Sequence, residues 1–201
     1  MTTQQSAGAA ARPGSPAKRE PGRDLVLVSG SPGSGKTSLA VPLAAELGFT
    51  LLGKDRIKEV LHDALAAEEP EPDLAWSRRL GAAAMELLWA LAAEAPAVVL
   101  DANFSPDDPR QQARIRGWRP ARSRCTARAR RRSPPAAYAA RSAARHPIHL
   151  DAMRDLSPEA PARYARPVGA GPVITVNTTT PVDIAELAGA VRALLPARER
   201  P

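Results

Sequence analysis

The segment Gly30-Ser31-Pro32-Gly33-Ser34-Gly35-Lys36-Thr37 has the residue types and spacing needed to cradle a polyphosphate. Its glycines permit tight turns and close backbone approach, so that successive amide N–H groups converge on an anion. A helix beginning at Gly35 would add the partial positive charge of its N-terminus. In such a loop the Lys36 ammonium reaches the outer phosphates, the Thr37 hydroxyl can ligate Mg²⁺, and Ser38 closes the set of loop residues. Further along the chain stand two carboxylates, Asp55 and Asp101, and two arginines four residues apart, Arg141 and Arg145. Moving a phosphoryl group between oxygens uses these kinds of group. A carboxylate accepts a hydroxyl proton, a carboxylate holds a metal or orients substrate, and arginines neutralise charge on the moving group.

These residues need a scaffold that brings them together. An apolar run, Asp24–Ser29, leads into the loop as a strand, and an Ala/Leu-rich helix follows to Leu47, stopping at Gly48 and bent at Pro42. Phe49–Leu52 reads as a second strand. A helix opens at Lys54, with Ile57, Val60, Leu61 and Leu65 at helical spacing. After a break over Glu68–Pro72, Asp73–Glu94 reads as a long helix with Leu74, Leu80, Leu87, Leu88 and Leu91 facing the core. Ala97–Asp101 has the composition of a buried parallel strand. Pro172–Asn177 is another strand, and Val182–Leu195 is a closing helix. Alternating strands and helices predict an α/β fold, a parallel sheet with helices on both faces, with ligands at the carboxyl ends of the strands. The loop, Asp55 and Asp101 all lie at such ends.

Composition narrows the class. The 201 residues suffice for one α/β domain, expected over 24–195, with unstructured tails over 1–23 and 196–201. No apolar stretch reaches the length of a membrane span and no secretory signal pattern is present. The single cysteine, Cys125, excludes an intrachain disulfide. A cytoplasmic protein that uses ATP and Mg²⁺ is the resulting expectation, with no membrane partner. The net charge of +7 invites a nucleic-acid partner, but ten arginines lie between Arg110 and Arg132 with no acidic residue among them. Without those ten the chain would carry −3. Basicity is local, and nucleic acid is not the favoured partner.

Taken together, the loop and the elements K-D-x-I-K (Lys54–Lys58), L-D-A-N-F (Leu100–Phe104) and R-x-x-x-R-H-P (Arg141–Pro147) resemble the small P-loop kinases related to chloramphenicol phosphotransferase, zeta toxins and the kinase domain of polynucleotide kinase. This group is often labelled AAA family ATPase. The resemblance covers Leu25–Leu65, Val98–Pro109, Tyr138–Asp151 and Val173–Pro181. It implies a P-loop NTPase fold with a small helical lid over about 135–155. It implies Asp55 as general base, Lys58 as a substrate- or phosphate-facing cation, and Asp101 and Asn103 in the acceptor pocket or metal shell. Arg141 and Arg145 would be lid arginines, and the loop after the last strand, Thr178 and Thr179, would receive adenine. Plainer roles remain open beside these. Asp55 could cap its helix, Lys58 could lie on a solvated face, and the two arginines could be ordinary surface. Ile148 departs from the His-Pro-Gly-His often seen in the group. The implied activity is transfer of the γ-phosphoryl group of ATP to a hydroxyl. Antibiotic, sugar nucleotide, metabolite and polynucleotide end are all acceptors that such a core serves.

One stretch conflicts with this plan. A five-stranded sheet of this type needs a buried strand between Ile115 and Ile148, where no run of Val, Ile or Leu occurs. Gly117–Pro134 is instead rich in arginine, and burying unpaired guanidinium groups is prohibitively costly. The sequence therefore predicts a missing strand over about 117–134. Two readings account for it. One is a basic nucleic-acid-binding insertion, which would make the protein a nucleic-acid-stimulated ATPase, although Trp118 is the one aromatic residue in it. The other is a local frame error corrected before Tyr138. The codons of Trp118 and Cys125 begin with T, and so do most serine codons. Read one frame over, Ser123–Arg131 can encode Val-Glu-Val-His-Cys-Thr-Cys-Pro-Pro, a strand and turn. The frame error is the stronger reading, and a stop or a polar string in that frame of the coding DNA would refute it. A damaged sheet would leave an ATP-binding protein without catalysis.

Overall fold

The centre of the fold is the strand that leads into the loop. In the computed structural model, which describes residues 23–65, 73–118, 124–130, 145–149, 164, 166–169 and 171–195, β1 (Asp24–Ser29) is buried along its whole length. It pairs in parallel with β3 (Ala97–Asp101) on one side and β4 (Arg124–Arg130) on the other. Outside these lie β2 (Thr50–Gly53) and β5 (Val173–Asn177), giving the order β2-β3-β1-β4-β5.

Alternation along β1 sends side chains to opposite layers. Val26 and Val28 pack with α1 (Lys36–Leu47) and α5 (Ile184–Leu194), chiefly through Leu39, Leu43, Leu187 and Val191. Leu25 and Leu27 pack on the other face with Leu88 and Trp89 of α3 (Leu74–Glu94), Phe104, and Ile115 of α4 (Pro109–Gly117). The expected α/β architecture, with helices on both faces of a parallel sheet, is the observed one.

Helix boundaries follow their caps. α1 ends at Gly48, whose φ of 70° gives the left-handed turn that returns the chain to the sheet, and it runs through Pro42 without a break. Asp73 caps α3 by accepting from Trp76 N at 2.6 Å, and Asp183 caps α5 through Glu186 N. α4 goes unread in the sequence, although its signal is there. Asp108 accepts from Arg110 N and Gln111 N, with Pro109 at the first helical position.

Two expectations are corrected. The strand thought to be missing is formed, by Arg124–Arg130, paired to β1 and β5. A strand is held by backbone groups that any non-proline residue supplies, and this is the proline-free window between Pro120 and Pro134. The basic stretch is therefore the fourth strand of the sheet over 124–130, not an added module. Second, Leu74, Leu87 and Leu91 do not face the core; they are 38%, 40% and 44% exposed. The buried stripe of α3 runs Trp76, Leu80, Ala84, Leu88 and Ala92, four residues apart. Similarly, Val60 and Leu65 are exposed on α2 (Lys54–Leu65), and the residue buried there is Lys58. The expected tails, the break at 68–72, Arg141 and most of the lid lie outside the described residues.

Candidate functional site

The loop leaves β1 at Gly30 and enters α1 at Gly35. Gly35 sits at φ 81° against Thr178, whose Cβ would lie 3.4 Å from an added methyl group, so both backbone and space favour glycine there. Thr178 Oγ1 donates to Ser34 O at 2.7 Å, tying the loop that follows β5 to the phosphate loop. The Ser34 hydroxyl itself is buried with no hydrogen-bond partner among the described residues. Lys36 Nζ donates to Ser31 O at 3.1 Å, which folds the lysine back over the loop. Gly35, Ser38, Pro42, Thr178, Thr180 and Val182 line a cavity of about 240 Å³ between α1 and the segment after β5.

The hydroxyl of Thr37 donates to Asp101 Oδ2 at 2.6 Å, joining the start of α1 to the end of β3. Asp101 is 8% exposed. Burial pushes its carboxyl above the ordinary range; the Thr37 hydrogen bond and the Lys36 charge oppose this, and the Asp55 charge adds to it. Asp55 lies one residue inside α2 rather than at its cap, and pairs with Arg145 Nη2 at 2.8 Å. Burial pushes its carboxyl up, but the charges of Lys54, His149, Arg145 and Lys36 together outweigh it and hold the group below the ordinary value. Two nearby carboxylates are thus driven apart, one kept ionised by cations and one strained by desolvation.

Lys36, Thr37, Asp55, Asp101 and Arg145 are therefore brought together. Thr37 and Asp101 offer the hard oxygen donors that Mg²⁺ takes, and the raised carboxyl of Asp101 is the group a cation would relieve. Asn103 lines a cavity with Lys54. Lys58 does not face that centre. It is 6% exposed, and its ammonium donates to Ser77 Oγ at 2.6 Å and Ile148 O at 3.1 Å, between α2, α3 and the turn Pro147–His149.

A constellation missed in the sequence surrounds Lys58. Asp55, Glu59 and Asp63 recur every fourth residue on α2, hence on one face. They meet Arg145 at 2.8 Å, His149 at 2.8 Å and His146 at 2.9 Å, respectively. The signal was legible as D-x-x-x-E-x-x-x-D facing R-H-x-x-H. The tie fastens the base of the expected lid to the helix that carries Asp55.

This tie has a pH signature. Burial, foremost, holds the His149 imidazole below its ordinary pKa, against the pull of Glu59 and Asp55. The unfolded chain then binds this proton more readily, so the contribution to stability is full above about pH 6.5 and is lost as pH falls through that value. Denaturant titrations at pH 7 and pH 5 should show the stability difference between wild type and His149→Gln shrinking at the lower pH. A difference independent of pH refutes the assignment.

Asp101 gives the opposite sign. Its raised pKa means that the ionised form costs stability at pH 7, a cost absent once both states are protonated. Asp101→Asn, whose amide oxygen can still accept from Thr37, should raise the Tm of the ligand-free protein by a few degrees at pH 7. About 2–4 °C corresponds to each kcal/mol in a domain of this size. The gain should vanish near pH 4, as calorimetry would show, and a lowered Tm at pH 7 refutes the account.

Comparison with known proteins gives the family and the fold. The profile of a family described as an AAA domain matches residues 25–155. The solved structure of a "putative kinase" from Chloroflexus aurantiacus J-10-fl is 30% identical, with 87% of this chain and 99% of that one covered and a TM-score of 0.68. An unliganded sugar kinase from Janibacter sp. HTCC2649 is 20% identical, with 86% and 95% covered and a TM-score of 0.51, a likeness of fold. A search of curated proteins finds no match. No helix among the described residues is long and apolar enough to cross a membrane.

Proposed function

We propose, on the premise that this chain belongs to the AAA domain family of P-loop proteins, that it transfers the γ-phosphoryl group of Mg·ATP to a hydroxyl of an acceptor. The observation that carries this reading is the 2.6 Å hydrogen bond from Thr37 to Asp101 beside Asp55 and Lys36. It joins a metal-ligating pair to a phosphate-binding lysine and to a second carboxylate with a different charge environment.

In this reading the amides of residues 33–37 hold the β-phosphate, and Lys36 leaves Ser31 O for the β/γ oxygens. Thr37 and Asp101 would hold Mg²⁺, which supplies charge neutralisation across those oxygens. The cavity between Ser38 and Thr178–Val182 receives the base. Asp55, ionised, orients the acceptor hydroxyl and takes its proton as the acceptor oxygen bonds phosphorus and the bridging oxygen departs with ADP. Arg145, held on Asp55, is placed to offset charge on the moving group. Lys58 has a positioning role, keeping α2 against α3 and the segment 145–149.

The test is incubation with γ-labelled ATP, Mg²⁺ and a panel of hydroxyl compounds. Label should appear in an acceptor. ATP protection against thermal unfolding without ADP formation or labelled product would identify a nucleotide-binding protein without catalysis. Turnover that requires DNA or RNA would identify a nucleic-acid-stimulated ATPase.

A further inference from the structure

Arg145 is placed by a short segment that is pinned in the core. Ile148, three residues further on, is fully buried against Trp76, Leu80 and Leu61. Its carbonyl accepts from two buried donors, Lys58 Nζ at 3.1 Å and Ser77 Oγ at 2.9 Å. Those donors are tied to each other, since Lys58 Nζ also donates to Ser77 Oγ at 2.6 Å. His149 N donates to His146 O at 3.1 Å and closes the turn on itself. One end of the segment is thus fixed, and the other carries a half-buried guanidinium.

Two rungs join this segment to α2. Asp55 and Glu59 are four residues apart on one face of the helix. They meet Arg145 and His149, each at 2.8 Å. The outer rung, Asp55–Arg145, is partly exposed, and both of its members have work in the proposed reaction. In the inner rung the imidazole is only 1% exposed. A carboxylate only accepts, so His149 Nε2 carries the proton that it donates to Glu59. Breaking that bond leaves a buried N–H with no water to replace the carboxylate, which makes the inner rung the stiffer one. Arg56 also approaches Glu59, at 3.5 Å, but from solvent, where such a pair counts for little.

Resting on the phosphotransferase reading, we infer that Glu59, acting through His149, is a positioning residue for Arg145. The inner rung fixes the point from which the guanidinium reaches, so that Arg145 can turn from Asp55 to the phosphoryl group in transfer without losing its place. What Glu59 supplies is reach rather than charge: its oxygen must lie where the buried imidazole can donate to it.

The experiment measures the affinity of the full chain for Mg·ADP with and without aluminium fluoride. Tetrafluoroaluminate beside ADP imitates the phosphoryl group in transfer, with water opposite, so no acceptor is needed. The ratio of the two affinities reports the groups that meet that charge. Arg145→Met should lower the ratio about a hundredfold. Glu59→Asp keeps the charge but is a methylene short of His149, and should lower the ratio about tenfold. Glu59→Gln loses the charge but its Oε1 can still accept from Nε2–H, so its ratio should stay within about threefold of wild type. In an Arg145→Met background Glu59→Asp should change the ratio no further. Tm on the same material checks the fold. If Glu59→Asp does not fold, Ser77→Ala carries the test, because it removes one of the two donors to the Ile148 carbonyl and should lower the ratio in the same direction.

An unchanged ratio in Glu59→Asp, a loss in Glu59→Gln as large as that in Glu59→Asp, or a loss that persists without Arg145 overturns the inference while leaving the kinase reading standing. The same holds if Arg145→Met keeps the wild-type ratio, or if fluoride adds nothing to the affinity of the wild type. Failure of the wild type to bind Mg·ADP at all removes the kinase reading and this inference with it.

Discussion

Lys36→Ala should lower phosphotransfer about a thousandfold or more while leaving the protein folded. Removal of one preorganised group that stabilises transition-state charge typically costs about 10²–10³ in rate, and the P-loop lysine also contributes to binding the nucleotide. The ammonium donates to the Ser31 carbonyl, a contact within its own loop, and Lys36 is part-buried rather than in the core. The fold therefore depends little on it. The loop shape depends instead on Gly33 and Gly35 at φ 73° and 81° and on the tie from Thr178 to Ser34. Single-turnover transfer and Tm measured on the same material separate the two effects. Wild-type turnover in Lys36→Ala would refute the assignment of the loop, and loss of the folded state would refute the claim that the lysine is dispensable to the scaffold.

Which parts of the molecule are legible in its sequence follows from which interactions residue identity reports. β1 and β3 match their expected boundaries because central parallel strands must be apolar on both faces, and both are buried throughout. The loop and its neighbours Asp55 and Asp101 were placed by motif spacing and by position at strand ends. β4 was illegible because its signal lies in backbone pairing to β1 and β5, not in side-chain hydrophobicity. α3 misled in its inward face for a related reason. Its composition is Ala- and Leu-rich all round, so counting leucines finds no face, whereas the four-residue repeat of Trp76, Leu80, Ala84, Leu88 and Ala92 does. The resemblance implies Lys58 as a substrate- or phosphate-facing cation, with a solvated face as the plainer alternative, and it lies in neither place. Its burial beside Ser77 and the Ile148 carbonyl depends on tertiary contacts 19 and 90 residues away in the chain. The carboxylate stripe on α2 was visible as spacing, but its partners at 145–149 are equally remote.

Asp55→Asn should keep Mg·ATP binding within about threefold and lower transfer by about 10²–10⁴, the range associated with a positioned proton acceptor. The substitution preserves shape, and an amide oxygen can still accept from Arg145, so the tie to the base of the lid survives in reduced form. The pair it weakens is partly exposed, at 40% for the Asp55 side chain and 30% for Arg145. Such pairs contribute about 0–1 kcal/mol, too little to unfold the protein. What disappears is the negative charge. Lys54, His149, Arg145 and Lys36 hold the Asp55 carboxyl ionised well into the acid range, which makes it a weak base in the ground state. That suits a loose transition state, in which the hydroxyl proton is released late and the carboxylate acts first to orient the nucleophile. It follows that transfer by the wild-type protein should show no acid limb from this group above about pH 4, because a group whose folded pKa lies below 3.8 is already ionised there. Binding by calorimetry and single-turnover transfer across pH 5–8 test both statements. Joint loss of binding and transfer in Asp55→Asn would mark the residue as structural. Unchanged transfer would place the proton acceptor elsewhere, and Asp101, whose carboxyl burial pushes up, would then be the group to examine.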